Sequence, residues 1–372
     1  MTISDLEKPT SGQISVVFSD IDLCIVNSLR RIITSEIPNI GFYFNSQEHY
    51  APDINILKND TPLHNEIIQH RICLIPICVS DQELDSWDKN QYTFKIHENI
   101  DSCFEITTKH IKVYDTTTQT ERNDLRDRWF PPCHITKDYI SITQFTKKEN
   151  AEFKLEAKAI RNVPNTPASF GMVSQCSHEF IIDELLAKNE LIKLTESVKD
   201  EEEKQLIIDT FKTLDIEKCY HKNIYGEVSK IKFTVCSECS ISPQSIIERG
   251  LNILLYKFRF IHSNQLYDIE NNNNLMTILI KNEKDTLGNC FQALVFNHFI
   301  REGNMFQDMK LTYVGYNIPH PLENILIIKM KATNMESIHK TQLFLNHALE
   351  ICINSITDVI NEWNTFSIQY KL

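Results

Sequence analysis

Hydrophobic residues recur at helical spacing in four stretches of the chain. Residues 19–38 carry an apolar face formed by Ile21, Ile25, Leu29, Ile32, Ile33 and Ile37. Ser19 is predicted to cap this helix, with Asp22 three residues later, and Pro38 is predicted to end it. The same periodicity predicts helices from Ser242 and Pro243 to Phe258, from Asp285 and Thr286 to Val295, and over residues 338–363.

Short apolar runs separated by turn residues occupy the stretch between the first two helices. They predict strands at 41–44, 93–96, 110–115, 139–145 and 152–160, so this part of the chain is predicted to be mostly β. Residues 183–220 instead show a charged helical pattern. The acidic run 200–203 is interpreted as a solvated helix start or loop, the alternative being a specific binding tail. Further strands are predicted at 230–235, 275–280, 310–316 and 324–332.

The order of these elements suggests two related halves in an α+β fold. Asn271 to Asn274 are polar and strand-breaking, which predicts a linker, and the strand, helix, two strands and long helix after it form a complete α+β unit. The sequence from Asn27 to Arg30 also has a weak echo from Asn289 to Gln292. Two similar halves suggest a pseudo-dimer within one chain.

Composition excludes several classes of protein. Among 372 residues, Lys and Arg number 38 against 50 Asp and Glu, a net charge of −12 that disfavours an extended phosphate-binding surface. The chain has 8 glycines and neither GxGxxG nor GxxxxGK[ST], which disfavours ordinary nucleotide-binding enzymes. It shows no signal peptide and no run of eighteen apolar residues, so we expect a soluble intracellular protein without a membrane partner. Its 11 cysteines are expected to be reduced.

Two groups of residues allow a catalytic interpretation, and both signals are weak. Cys219, His221, Cys236 and Cys239 could supply four zinc ligands, although the usual second CxxC is missing. His320 could act as an isolated base, but no nucleophile or carboxylate lies at a recognised spacing, and its flanking prolines favour a stiff turn. We therefore predict neither catalytic residues nor a metal, and keep a zinc-dependent enzyme as an alternative.

Four segments carry a resemblance to a known family. The strings NSLRRIITSEIPNI (27–40) and HNEIIQHRICLIPI (64–77) resemble the signature of the third-largest subunit of multisubunit DNA-directed RNA polymerases. The strings DTLGN (285–289) and VGYNIPHPLEN (314–324) are similar to the signature of the small alpha-like subunit that pairs with it. Both signatures in one chain resemble the fused alpha-like subunits of large cytoplasmic DNA viruses.

This resemblance implies an alpha-like dimerisation fold as an intrachain pseudo-dimer with an inserted β-rich domain. Its first half would be discontinuous, over 11–50 and 226–263, around an insert at 51–225. A linker at 264–274 would lead to the second half at 275–372. Related subunits hold zinc or an iron–sulfur cluster in the insert, but the cysteines here are widely spaced, so no cofactor is expected.

The resemblance also implies a set of partner-binding residues. Arg30 and Arg31 would contact the second-largest subunit, the alternative being two solvated cations. His70 and Arg71 would lie at the junction with the insert, although capping of their own helix is an equal alternative. Asn27 and Asn289 are predicted to bond a neighbouring loop, and Gly288 to allow backbones to approach closely. The remaining implied contacts are Glu36, Pro38, Thr286, Leu287, Asn289, Gly315, Tyr316, Pro319, His320 and Pro321.

The function implied is that of a non-catalytic assembly subunit of a DNA-directed RNA polymerase. Its partners would be the largest and second-largest subunits and small polymerase subunits, and it would meet DNA only through the complex. The expected location is the host cytoplasm and the virion for a viral protein, or the nucleus for a cellular one. A free-standing adaptor with the same fold is the alternative.

Overall fold

The computed structural model describes residues 1–372 except 11, 46–49, 134–135, 147–148, 166, 197, 199, 239–240, 265–266, 273–274, 321, 335–336 and 371–372. The helices are α1 Leu23–Ser35, α2 Asn65–Cys73, α3 Asp81–Ser86, α4 Asn123–Trp129, α5 Glu184–Glu196, α6 Glu201–Thr210, α7 Pro243–Asn264, α8 Asp285–Val295 and α9 Ile338–Gln369. The strands before α5 are β1 Thr2–Glu7, β2 Gln13–Ser19, β3 Asn39–Gly41, β4 Ile54–Asn59, β5 Tyr92–Asn99, β6 Glu105–Thr107, β7 Lys112–Asp115, β8 Thr120–Glu121, β9 Ser141–Gln144, β10 Glu152–Ala157, β11 Ile160–Asn162 and β12 Val173–Phe180. Those after it are β13 Lys230–Ser237, β14 Asp268–Asn272, β15 Leu275–Lys281, β16 Leu311–Asn317 and β17 Ile325–Ala332. This mixture of helices and sheets confirms the predicted α+β class.

The chain divides into two compact units. Unit 1 comprises residues 1–33, 175–236 and 247–372, and unit 2 comprises residues 34–174 and 237–246. The charged segment 183–220 belongs to unit 1, whereas the predicted insert at 51–225 included it. Within this segment, Ala187, Phe211 and Cys219 are buried in a small apolar cluster.

The N-terminal half of unit 1 is a four-stranded sheet with the strand order β1-β2-β13-β12. Strands β2 and β13 are antiparallel, and their register pairs Val16 with Phe233 and Ile14 with Val235, all fully buried. Helices α1 and α7 cross closely, since a Cβ on Gly250 would lie 2.7 Å from Leu29 Cδ1. Only a glycine at this position lets the two helices approach without displacing a side chain.

Helix α1 begins later than its sequence predicts. Ser19 is the last residue of β2 and pairs with Lys230, so its backbone belongs to the sheet and it cannot cap the helix. Asp20 then adopts a left-handed conformation with φ 54°, and α1 starts at Leu23. The predicted apolar face is confirmed, because Ile25, Leu29 and Ile32 are buried.

The C-terminal half of unit 1 is a second four-stranded sheet, with the order β14-β15-β17-β16. Alternate residues of β15 and β17 are buried, and the register sets Met276 against Met330 and Ile278 against Ile328. Strand β14, Asp268–Asn272, lies within the predicted linker 264–274 and pairs with β15 in antiparallel orientation. Asn273 and Asn274 lie outside the described residues.

Helices α8 and α9 cover this second sheet with apolar faces. On α8 the predicted face is confirmed, with Leu287, Phe291, Leu294 and Val295 buried. On α9 the buried stripe runs from Phe344 to Phe366, and Ser337 caps its start by accepting a hydrogen bond from Lys340 N. Among the described helices, α9 alone has the length and hydropathy of a membrane span, which is weak evidence because core helices share both properties.

Unit 2 is built on a five-stranded sheet with the order β4-β10-β5-β7-β8, and it also contains two-stranded pairs β3–β11 and β6–β9. Its core includes an aromatic cluster in which buried Trp129 lies 5.1 Å from Tyr92 and 5.4 Å from Trp87, between ring centroids. The predicted strand at 41–44 is wrong beyond Gly41, where β3 ends.

Candidate partner-binding site

The first helices of the two halves of unit 1 meet at a buried seam. Ser28 Oγ on α1 donates a hydrogen bond to the backbone oxygen of Thr286 on α8, at 3.2 Å. One turn earlier on α1, the thiol of Cys24 neighbours that of Cys290 on α8, and this neighbour together with burial raises the pKa of Cys24 well above its usual value. Burial likewise raises the pKa of Cys352 on α9. The echoed segments at 27–30 and 289–292 therefore lie on helices that pack against each other.

Polar contacts extend this seam beyond the helices. Asn297 Nδ2 donates to Asp22 Oδ1 at 2.8 Å, and Arg301 binds both carboxylate oxygens of Glu227 at 2.6 and 2.8 Å. Arg301 lowers the pKa of Glu227, whereas burial raises the pKa of Asp22. No feature of the sequence connected these four residues, because they come from three distant segments.

The two arginines of the family signature are half-buried, not fully solvated. Arg30 donates from Nε and Nη2 to Asn27 Oδ1 at 3.1 and 3.0 Å, a contact within α1, and no bond from Asn27 to a neighbouring loop occurs among the described residues. Arg31 lies near Tyr316. Burial and the charge of Asp285 raise the pKa of Tyr316, and the positive charge of Arg31 acts in the opposite direction. Residues from both signatures thus share one surface region.

Gly288 allows the predicted close approach, but the neighbours are side chains and not backbone. A Cβ at this position would lie 2.6 Å from Tyr316 Cδ2 and 2.7 Å from Leu326 Cδ1. Gly315 is similarly restricted by the ring of Tyr313. Tyr316 N donates to Gln292 Oε1 at 3.2 Å, which fixes β16 against α8.

Two of the residues implied as partner contacts cannot make one through their side chains. Leu287 is 1% exposed and Thr286 is 8% exposed, because both lie on the face of α8 that enters the core. Asn289, on the opposite face, is half-buried, and its side chain has no hydrogen bond among the described residues.

Four implied contacts belong to unit 2. Glu36 and Pro38 are half-buried after α1, and His70 and Arg71 are exposed in the last turn of α2. The His70 ring packs on Phe44 with centroids 3.8 Å apart, and Arg71 Nη2 donates to Ser141 O at 3.2 Å.

The predicted turn after β16 is confirmed for its described part. Pro319 and His320 are exposed, and His320 Nδ1 accepts a hydrogen bond from Leu322 N at 3.2 Å within the turn. Pro321 lies outside the described residues.

The candidate zinc ligands are not assembled into a site in the part of the chain that is described. Cys219 is buried in the small cluster beside α5, and His221 Nδ1 lies 3.6 Å from Asp183. No group of three or more His, Cys, Asp or Glu suited to a metal ion occurs among the described residues, which include Cys236 but not Cys239.

A cleft of about 830 Å³ opens beside the seam in unit 1. Its walls include Asp22 and Asn27 of the N-terminal half, Asn289 and Gln292 of α8, and His178 on β12. The sequence indicates Asn27 and Asn289 but not the cleft, since no periodicity connects a strand residue such as His178 to them.

Comparison with known proteins identifies relatives for most of this architecture. The family model of the RNA polymerase Rpb3/Rpb11 dimerisation domain matches residues 15–258, more than half of the chain. DNA-directed RNA polymerase subunit Rpo3 of Pyrococcus horikoshii is 24% identical over 272 residues, covering 69% of this chain and 96% of the relative. The Rpo3 subunit of Pyrococcus furiosus is 23% identical over 270 residues, covering 69% and 94%. That of Thermococcus kodakarensis is 32% identical over 82 residues, covering 22% and 28%.

Proposed function

Because the chain belongs to the RNA polymerase Rpb3/Rpb11 dimerisation-domain family, we propose that it is a non-catalytic assembly subunit of a DNA-directed RNA polymerase. Relatives that match over nearly their full length are polymerase subunits. Because the alignments cover nearly the whole length of these relatives, they support the same assembly role for this chain.

We propose further that the chain fuses two alpha-like halves, each the dimerisation partner of the other. The observation that carries this proposal is the buried seam, where Ser28 on α1 bonds the backbone of α8. The ion pair between Arg301 and Glu227 joins the same two halves. A tether raises the effective concentration of the second half to roughly millimolar, so pairing would not depend on the concentration of the chain.

In this proposal the two halves present different faces to the large subunits. Arg30 and Arg31 would engage the second-largest subunit, and the C-terminal half would engage the largest. The planar fork of a guanidinium suits contacts with carboxylates and backbone carbonyls of a partner. The position equivalent to Arg30 in the echoed segment is Gln292, which bonds β16 instead, and this difference supports two non-equivalent faces.

The test is a double variant, Arg30→Ala with Arg31→Ala, in reconstitution with the two large subunits. We expect a folded chain, by circular dichroism, that still binds the largest subunit and no longer recruits the second-largest. The matched control is Arg122→Ala with Arg126→Ala, two arginines of unit 2 that each pair with a nearby aspartate. Full recruitment by the first double variant would contradict the assigned face.

The resemblance to fused subunits supports a proposal about origin as well. We propose that the chain is encoded by a large DNA virus, and that it occurs in cytoplasmic viral factories and in virions. Mass spectrometry of purified virions should then detect its peptides together with those of the large subunits. Recovery from nuclei of uninfected cells would contradict this origin.

A further inference from the structure

The cleft beside the seam has an acidic character. Asp20, Asp22 and Glu227 contribute carboxylates to its wall, and Arg301 is the one lysine or arginine among the lining residues. Arg301 is already held by both oxygens of Glu227. Among the lining residues the remaining charge is therefore negative, which favours a cationic ligand and disfavours a phosphate group. Arg30 lies behind this wall, where it bonds Asn27 and lowers the pKa of His178, so the acidic part of the cleft is the part around Asp22.

Asp22 is the part of the wall best placed to receive a cation. Its carboxylate is half-buried, and among the described residues its hydrogen bond comes from Asn297 alone, at Oδ1. Burial and the nearby Glu227 raise the pKa of Asp22, because both penalise its charged form. A cation placed beside the carboxylate would relieve that penalty.

The amide side chains in the cleft present donors. Asn27 Oδ1 is occupied by Arg30, and Gln292 Oε1 is occupied by Tyr316 N. Each side chain keeps an NH₂ group that has no partner among the described residues and can donate to an oxygen. Carbonyl oxygens are the neutral acceptors that such donors match.

His178 offers the complementary group. Its Nδ1 atom is buried and has no hydrogen-bond partner among the described residues. Burial, reinforced by Arg30, lowers the pKa of His178, so the ring is neutral and one nitrogen can accept a hydrogen bond. A buried polar atom without a partner is costly, and a ligand N–H would satisfy it.

Aromatic rings complete the cleft. Phe180 and Phe296 line it and each is 38% exposed. The guanidinium carbon of Arg301 lies 5.6 Å from the centroid of Phe296, so this ring already makes one cation–π contact. The aliphatic stem of a lysine or arginine would find apolar surface here.

We propose that the cleft binds an extended peptide segment carrying a lysine or arginine, presented by another polymerase subunit, with the cationic group at Asp22 and the peptide backbone at Asn27, Gln292 and His178. A peptide supplies the carbonyl oxygens, the N–H group and the cation together, whereas a free polyamine lacks the carbonyls. The cleft volume is within the range of roughly 300–1,000 Å³ that well-formed ligand sites occupy. This inference rests on the proposed function, since the segment comes from a polymerase subunit.

The first test places a photo-crosslinking amino acid, p-benzoylphenylalanine, at Ala293, which lines the cleft, in a chain assembled with the two large subunits. After irradiation, mass spectrometry should identify a crosslinked segment of a partner subunit that contains lysine or arginine. A crosslink to a segment without either residue, or none at this position while the complex is intact, would overturn the cleft proposal and leave the proposed function standing. Failure of the unmodified chain to assemble would overturn both.

The second test changes the charge of Asp22 and keeps its shape. In the Asp22→Asn variant we expect affinity for the crosslinked subunit to fall roughly tenfold, as for loss of a partly buried charge pair, with a weaker dependence on salt. Asp200→Asn is the matched control, because Asp200 also directly precedes a helix and lies outside the cleft. Equal affinities for the two variants would overturn the role of Asp22.

A stability measurement separates this loss from misfolding. Since the pKa of Asp22 is raised in the folded state, protonation favours folding, and its charge costs stability at neutral pH. The isolated Asp22→Asn chain should therefore melt at pH 7 no lower than the original chain. A lower melting temperature would show that Asp22 acts as a structural residue, which would contradict the proposal.

Discussion

Replacing Gly288 by alanine tests the packing of α8 against the C-terminal sheet. The added methyl group would lie 2.6 Å from a ring carbon of Tyr316 and 2.7 Å from Leu326 Cδ1, closer than carbon atoms can pack. Overfilling a packed core in this way costs about 1–3 kcal/mol. Alanine favours a helix over glycine by about 1 kcal/mol, which offsets part of that cost. We therefore expect Gly288→Ala to lower the free energy of unfolding by about 1 kcal/mol.

The matched control is Asn289→Ala, one residue further along the same helix. Asn289 is half-buried and has no side-chain hydrogen bond in the described part of the chain, so this variant gains helix propensity without a clash. It should leave stability unchanged or raise it by about 0.5 kcal/mol. Urea denaturation followed by circular dichroism measures both changes.

The difference in stability between these two variants shows whether α8 needs a glycine at position 288. If Gly288→Ala stabilised the protein as much as Asn289→Ala, Tyr316 and Leu326 would be able to move aside without cost. The glycine would then have no architectural role, and the close approach of α8 to β16 and β17 would not be a source of specificity. A cost above about 3 kcal/mol would also refute the estimate, because it would indicate that the sheet itself is displaced.

Three further predictions concern the contacts between the two halves of unit 1. Ser28→Ala removes the hydrogen bond to the α8 backbone and should cost about 1 kcal/mol in urea denaturation, whereas no change would show that this bond adds nothing. Arg301→Met should destabilise the chain above pH 4.5, where the lowered pKa of Glu227 keeps the partner charged. This difference should vanish as the pH falls through that lowered pKa, and a pH-independent difference would contradict it. Iodoacetamide at pH 8 should label exposed Cys133 rapidly and Cys24 only after unfolding, as peptide mass spectrometry would detect; early labelling of Cys24 would show an open seam.

Helical periodicity predicts the faces of α1, α8 and α9 because burial of a stripe imposes its spacing on the sequence. The start of α1 is not predictable in this way. Ser19 has the composition of a helix cap, but its backbone hydrogen bonds belong to the sheet with β13, a pairing across more than two hundred positions of sequence. The linker prediction at the asparagine run is wrong for Asn271 and Asn272 for a similar reason, since pairing with β15 outweighs their low strand propensity.

The candidate site is likewise predictable from the sequence only in part. The signatures locate Arg30, Arg31 and Gly288, and the structure brings the segments that carry them together. Composition and spacing do not indicate that Leu287 enters the core, nor that His178 from a distant strand lines the same cleft as Asn289. These relationships depend on long-range packing, which no local pattern records.

The most direct test of the assembly role is affinity purification of the tagged chain from its native source, combined with mass spectrometry and promoter-independent RNA synthesis on the eluate. We predict recovery of the two largest polymerase subunits and template-dependent synthesis of RNA. An eluate that contains the intact chain without either large subunit, and that makes no RNA, would contradict the role of this protein as a polymerase assembly subunit.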